Sequence, residues 1–408
     1  MKAHLRAVLV LLPGLTALPA AADVVTDWNE IAVSAGYAAS LLPPFQSRNA
    51  AIVHLAVYDA VNSARPTYTP YRRLWPAPPG TSPEAAAAAA AHAVLAHLYP
   101  DQAAKLDAAL AASLAEVADE KARAQGQALG QQVAAALLAE RQGDGADAPN
   151  TYRPVTTPGA YAPTTLPIVP TWGAVRPFGL DSGRQFRPAP PYRLDSAEWA
   201  KDFREVKRLG AKVRSERTPE QTEAARFWEY TGAGTYNPMV RQVAAAKHLD
   251  LAANARLFAL TSMAAADAII AVFDAKYTYN FWRPVTAIRN ADGDGNDATD
   301  VDPAWEPFIA TPLHPEYPCA HCINQSAVAR VLELEFGDEA APFTLKSPTA
   351  PGVEHRFTRL SAYVQEVIEA RVCDGVHYRT SGQVGAAMGR QIGDHLVGKY
   401  FKRAAPSR

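Results

Sequence analysis

Helical periodicity, with no strand-like alternation beside it, is what most narrows the folds open to this sequence. No convincing stretch alternates apolar and polar residues with period 2. Apolar residues recur instead with helical spacing in run after run, and several runs open on cap residues. Ser82 followed by Pro83 reads as an N-cap and first helical position. Asp195-Ser-Ala-Glu198 and Thr218-Pro-Glu-Gln221 both read as capping boxes. Residues 49–62 are apolar on most sides and predict a buried helix, on which His54 is read as a hydrogen-bonded core residue rather than a ligand. Ala-rich helices follow from Ser82 to about Arg141. Further helices are predicted over roughly 196–213, 218–231, 238–253, 255–282, 319–336, 356–373 and 382–402. The expected fold class is all-α, built as packed helical bundles.

Residues 1–22 read as a secretory signal: Lys2 and Arg6 as charged head, Ala7–Leu12 apolar, and Ala20-Ala21-Ala22 as cleavage site. The mature chain is therefore expected to begin near Asp23 and to be secreted or periplasmic. It divides into an N-terminal helical region, 23–192, and a C-terminal helical bundle, 193–408. The stretch 143–192 carries ten prolines and little periodicity. Trp172, Arg176, Pro177 and Phe178 favour an ordered loop lining a substrate entrance over a domain linker. Forty basic residues against 41 acidic ones give a formal charge of −1, which argues against nucleic-acid or polybasic membrane binding. Charged and polar residues interrupt the Ala-rich segments, so no membrane span is expected in the mature chain. Oligomeric state has no signal in the sequence.

Local charge is more informative. Lys276 and Arg283 stand seven apart, two helical turns, which predicts one shared helix face ending at Pro284. Pro318 precedes a new apolar-periodic run and puts Cys319, Ala320 and His321 in the first turn of another helix, where free N–H groups favour an anion. Near the C-terminus, Arg371 and His377 are separated by Gly375, a natural helix terminator that could bend His377 back toward Arg371. Three fixed cations, a helix N-terminus and two imidazoles would make a pocket for a phosphate-shaped oxyanion.

All three cysteines, Cys319, Cys322 and Cys373, lie in these segments. A disulfide from the 319–322 turn to Cys373 would staple two of them together. Cys319-Ala-His-Cys322 lacks the second ligand pair a zinc site needs, and is read as helix packing or a structural disulfide rather than a redox or metal motif. Asp292 to Asp297 resembles the start of a calcium loop, but Asp297 stands at the glycine position and Pro303 at the glutamate position, so an acidic solvated turn is expected.

Lys276-x6-Arg283-Pro284, Pro318-x-x-His321 and Arg371-x5-His377, in that order, resemble the three-part signature of vanadium-dependent haloperoxidases and the type 2 phosphatidic-acid-phosphatase superfamily. Asp27-Trp-Asn29, Ile52 to Asn62 and Asn280 to Pro284 resemble its secreted bacterial haloperoxidase-like branch. The resemblance implies helical bundles of the vanadium chloroperoxidase and acid phosphatase type. It implies an oxyanion bound by Lys276, Arg283, Cys319, Ala320 and Arg371. His377 would be the vanadium ligand, and His321 and His314 would complete the catalytic set. The implied activity is vanadate-dependent oxidation of halide by hydrogen peroxide. The alternatives are a metal-free acid phosphatase cleaving a phosphate ester through a phosphohistidine at His377, and a non-catalytic oxyanion-binding protein.

Three positions depart from the pattern. Cys319 replaces the usual serine and Ser381 a frequent aspartate, for which Asp374 is a possible substitute. His314 stands where bromide-oxidising members carry histidine and a chloride-oxidising member phenylalanine. That residue points to bromide or iodide.

Overall fold

The computed structural model describes residues 23–404; the signal-like segment 1–22 lies outside the described residues. The first half supplies α1 (Val24–Ala38), α2 (Pro43–Ala64), α3 (Pro83–Leu98), α4 (Ala103–Ala115) and α5 (Glu120–Arg141). After the proline-rich segment come α6 (Ala197–Leu209), α7 (Pro219–Phe227), α8 (Asn237–Ala246), α9 (Leu251–Tyr279) and α10 (Pro284–Arg289). The chain closes with α11 (Ala320–Phe336), a hairpin of β1 (Phe343–Ser347) and β2 (Ala350–Phe357), α12 (Leu360–Cys373) and α13 (Arg379–Lys399).

Packed helices are the architecture, as the periodicity requires, with one correction. The antiparallel hairpin takes residues assigned to the start of a helix at 356, so α12 begins only at Leu360. Strand β2 reads buried only at its two ends, Ala350 and Phe357, which leaves no clean alternation to detect. The cap before α6 also shifts by one residue: Ser196, not Asp195, accepts the Trp199 N–H. The capping box at Thr218 and the Ser82–Pro83 start form as expected.

Helix α9 is the axis of the core. By length and composition it is apolar enough to cross a membrane, contrary to expectation, yet 94% of its most apolar window is buried inside the fold. Helices α2, α11 and α13 pack around it, and one apolar cluster runs from Val25 through α9 to Phe401. Midway along α9, the buried Asp267 carboxylate accepts N–H groups from Phe178 (2.7 Å), Gly179 (2.7 Å) and Leu180 (3.0 Å). Three backbone donors on one carboxylate pin the proline-rich segment to the core. The same segment bonds Tyr161 N–H to Asn280 O (2.7 Å) and Ile168 N–H to Leu313 O (2.8 Å). It is thus an ordered wrap around the C-terminal end of α9.

Helix α11 is set against α13 by glycines. A Cβ at Gly385 would meet Cys319 O at 2.7 Å, and one at Gly389 would meet Ile323 O at 2.4 Å and Ala327 N at 2.7 Å. Such an approach is open only to a residue without a side chain, because the obstacles are backbone atoms of a helix that cannot give way. Gly389→Ala should therefore lower unfolding free energy by about 1–3 kcal/mol, read as a drop in melting temperature. An unshifted melting curve would mean that the two helices can separate at no cost.

His54 on α2 is a buried, hydrogen-bonded core histidine, as the sequence predicts. Its Nε2 lies 2.9 Å from the Asn29 amide nitrogen, which also donates to Asn237 Oδ1 at 2.7 Å. Burial, helped by the Arg241 cation, pulls its pKa down to about 3. A depressed histidine contributes stability above its unfolded pKa of about 6.5 and loses it as pH falls. The stability advantage of the native chain over His54→Gln should shrink by roughly 1.4 kcal/mol per pH unit below that point, measured by denaturant unfolding at pH 7 and pH 5. Parallel curves at the two pH values would show that His54 does not resist protonation.

Candidate active site

Four segments meet at the C-terminal end of α9. The helix stops at Tyr279 because Asn280 takes the left-handed conformation (φ 48°) and returns its N–H to Lys276 O. The chain then runs extended to Arg283, the N-cap of α10, with Pro284 at the first helical position. Lys276 and Arg283 therefore do not share a helix face, as their spacing suggested; a left-handed turn, rather than continuous helix, brings them together.

Lys276 is fully buried, and its ammonium donates to Pro315 O (2.9 Å) and Glu316 O (2.7 Å). The turn before α11 is thus tied to α9. Arg283 extends the tie: Nε donates to His314 O (2.9 Å) and Nη1 to Val376 O (2.8 Å). The same guanidinium reaches both rings, with His314 Nδ1 3.0 Å from Nη2 and His377 Nε2 3.3 Å from Nη1. Burial pulls Lys276 well below the usual ammonium range, helped by the Arg283 cation, and pulls Arg283 to about 10, helped by the Arg371 cation.

Arginine has no acceptor, so the His377 nitrogen facing it carries a lone pair, whereas His314 Nδ1 also lies 3.1 Å from the Pro315 carbonyl. For His377 that puts the proton on Nδ1, which lies 2.6 Å from Glu316 Oε1. The Tyr378 N–H donates to the same oxygen at 3.2 Å. Glu316 therefore supplies the carboxylate that Ser381 does not, from a different segment of the chain. Ser381 Oγ lies 3.5 Å from Nδ1, at the limit of a hydrogen bond. Asp374 is not the substitute: its carboxylate pairs with Arg371 Nη1 at 2.8 Å and accepts the Val376 N–H at 3.1 Å. Burial pushes Glu316 and Asp374 each up to about 7, against the pull of the neighbouring cations. All of His314, His321 and His377 are held well below 6.5, by burial first and the cations second. For the Glu316–His377 pair we take neutral imidazole donating to carboxylate, since the Arg283 contact leaves Nε2 no proton.

Gly375 (φ 83°) makes the expected bend after α12, and His377 N–H returns to Arg371 O at 3.1 Å. Arg371 Nη1 also donates to Trp228 O (2.8 Å), while its buried Nε has no partner. At the other wall, Cys319 is the N-cap of α11, its sulfur accepting the Cys322 N–H at 3.3 Å. His321 follows in the first turn, its Nε2 3.2 Å from Tyr230 O.

Above these groups opens a cavity of about 360 Å³. His314, Ala320, His321, Arg371 and His377 lie on its lining, and Leu42, Ile168, Phe273 and Leu313 make an apolar approach. Lys276, Arg283 and Cys319 are fully buried and off that lining. His314 is buried against Phe273, ring centroids 5.3 Å apart, not on the surface. No cysteine is bridged: Cys373 packs with Trp199 and Tyr378 in a second core cluster, apart from the 319–322 turn it was expected to join. Asp294, in the calcium-like stretch, accepts from Trp199 Nε1 (3.0 Å) and Thr299 Oγ1 (2.8 Å), a structural role.

The model of the VCPO second helical-bundle domain matches residues 256–405, which take in Lys276, Arg283, His314, Glu316, Cys319, His321, Arg371 and His377. That stretch of this chain is similar to the second helical bundle of vanadium chloroperoxidase. Vanadium chloroperoxidase of Curvularia inaequalis is 33% identical over 144 residues, 29% of this chain and 23% of that protein. The match spans less than a quarter of the length of that curated relative. A solved bacterial vanadium-dependent iodoperoxidase is 26% identical with a TM-score of 0.81, over 94% of this chain and 98% of that one. A holo-type bacterial vanadium-dependent chloroperoxidase has the same fold, with TM-score 0.72, 18% identity and coverage of 95% and 93%.

A tetrahedral oxyanion fits this haloperoxidase fold on the donor chemistry alone. Three buried cations and a helix N-terminus, with Arg371 Nε unpartnered, face two buried carboxylates, Glu316 and Asp374, and the half-buried Glu229 on the cavity lining. His377 presents a lone pair at Nε2, as a ligand must. Sequence reasoning missed Glu316, whose only signal was its place between Pro315 and Pro318 inside the motif. Glu316→Gln should weaken orthovanadate binding by about 10–100-fold, measured by equilibrium dialysis. Unchanged affinity would remove Glu316 from the orientation of His377.

Proposed function

We propose that this chain is a vanadate-dependent haloperoxidase that oxidises iodide or bromide with hydrogen peroxide. The observation that carries the reading is the His377 ring, locked by Glu316 so that Nε2 faces the cationic floor of the cavity. His377 would hold vanadate through that nitrogen, and Lys276, Arg283 and Arg371 would balance its charge, with the Ala320 N–H a further donor at the α11 N-terminus. Bound vanadate would supply electrophilic activation of peroxide toward halide. His321 sits where an imidazole can take or give a proton at the open side of the cation cluster, and its depressed pKa keeps it a base at neutral pH. His314 bonds Arg283 through Nδ1 and lines the cavity beside Phe273. A histidine there and the likeness to an iodoperoxidase both support the softer, more easily oxidised halides over chloride. The apolar approach suits a small uncharged acceptor or halide more than a charged phosphate ester. Export, expected from residues 1–22, belongs to the same proposal.

The test is purified protein with and without orthovanadate, assayed for peroxide-dependent iodination, bromination and chlorination and for hydrolysis of p-nitrophenyl phosphate. Halogenation that requires vanadate, with iodide or bromide ahead of chloride, is the expected result. His377→Ala should abolish it. Phosphate-ester hydrolysis that vanadate inhibits, with no halogenation, would assign the pocket to phosphoryl transfer instead, and inactivity in both assays would leave an oxyanion-binding protein.

A further inference from the structure

Two sulfurs lie at the base of this site, and the oxyanion chemistry uses neither as more than a weak donor. Cys319 and Cys322 bracket the first turn of α11, both fully buried, with their Sγ atoms 2.6 Å apart. We propose that they form a redox-active dithiol: peroxide oxidises Cys319 and Cys322 closes a disulfide onto it.

The geometry is asymmetric in the way such a pair requires. Cys319 is the N-cap, its sulfur meeting the Cys322 N–H at 3.3 Å, where the positive end of the helix favours a thiolate. Arg371 and Lys276 stand nearby, and together with the Cys322 hydrogen bonds they pull the Cys319 thiol below its ordinary range in spite of burial. Cys322, three residues on, is pushed the other way by burial and by Cys319 itself. One sulfur is thus the nucleophile and the other the resolving thiol. Cys373 has no such partner: burial and Asp374 push it up to about 12, and it packs in the other core cluster. The residues between the two sulfurs, Ala320 and His321, line the cavity, so peroxide arriving at its floor is one residue from Cys319.

The step balances without any group beyond peroxide. The Cys319 thiolate attacks one peroxide oxygen, the O–O bond breaks, and hydroxide leaves and takes up the thiol's proton, giving water and a sulfenic acid. Cys322 then attacks the Cys319 sulfur. The S–S bond forms, the S–O bond breaks, and the hydroxyl leaves with the Cys322 proton as a second water. The two thiols have lost two electrons to peroxide. Bridged, Cys319 carries neither a thiolate charge nor an S–H beside the oxyanion-binding groups, so the pair couples peroxide exposure to the electrostatics of the site.

The experiment uses reduced, vanadate-free full-length protein treated with hydrogen peroxide, then denatured, alkylated and analysed by mass spectrometry. Its outcome is independent of whether vanadate binds or halide is oxidised. The expected result is two thiols lost, a peptide containing 319–322 lighter by two hydrogens, Cys373 alkylated, and full reversal by dithiothreitol. In Cys322→Ser the sulfenic acid on Cys319 should accumulate and be captured by dimedone; in Cys319→Ser the Cys322 thiol should survive the same exposure. Three alkylated cysteines after peroxide, a bridge that includes Cys373, or equal oxidation of Cys322 in Cys319→Ser would each overturn the proposal.

Discussion

The structure turns on cationic charge carried into a protein interior. An isolated buried ion costs several kcal/mol even after relaxation, so each cation here is surrounded by acceptors. Lys276 holds two carbonyls, Arg283 two carbonyls and two rings, and Arg371 a carbonyl and the Asp374 carboxylate. Those acceptors come from the 314–316 turn, residue 376 and the end of α7, and satisfying the cations pulls these segments to one point. Assembly of the site and compensation of its charge are thus one event. What remains unbalanced, three cationic side chains against two carboxylates that burial pushes toward neutrality, is charge that a dianion or trianion would compensate.

Shape supports charge. The N-terminus of α11 faces the cavity because α13 lies close enough, through Gly385 and Gly389, to touch α11 backbone. On the other side Asp267 anchors the proline-rich wrap, whose Ile168 reaches the cavity wall. A rigid frame on both sides lets a small number of side chains hold fixed donor geometry, which anion recognition depends on more than on flexibility.

The departures from the family pattern resolve differently. The carboxylate missing at Ser381 is restored at the same ring nitrogen by Glu316, from a different segment of the chain, so the orientation of His377 survives a change in which residue provides it. The serine-to-cysteine change at 319 is not restored. A second sulfur 2.6 Å away gives that position a chemistry of its own.

The helical class, the proline-rich wrap, the buried role of His54 and the three site segments were all legible in the sequence. Local propensity, cap residues and motif spacing act within a few residues of chain, and those terms do not depend on the fold. Helix ends and partnerships were not. The spacing of Lys276 and Arg283 looked like one helix face, but a left-handed Asn280 broke the helix, a choice made by the packing of residues 281–283 against distant segments. In the hairpin at 343–357 burial alternates only along the five residues of β1, while most of β2 faces solvent, which leaves too short a signal to read. Which carboxylate holds His377, and which cysteine neighbours which, are decided by contacts between residues 61 apart and by the first turn of one helix. Hydrogen-bond partners across such distances carry no mark in the sequence, because their energies exist only once burial has removed the competing water.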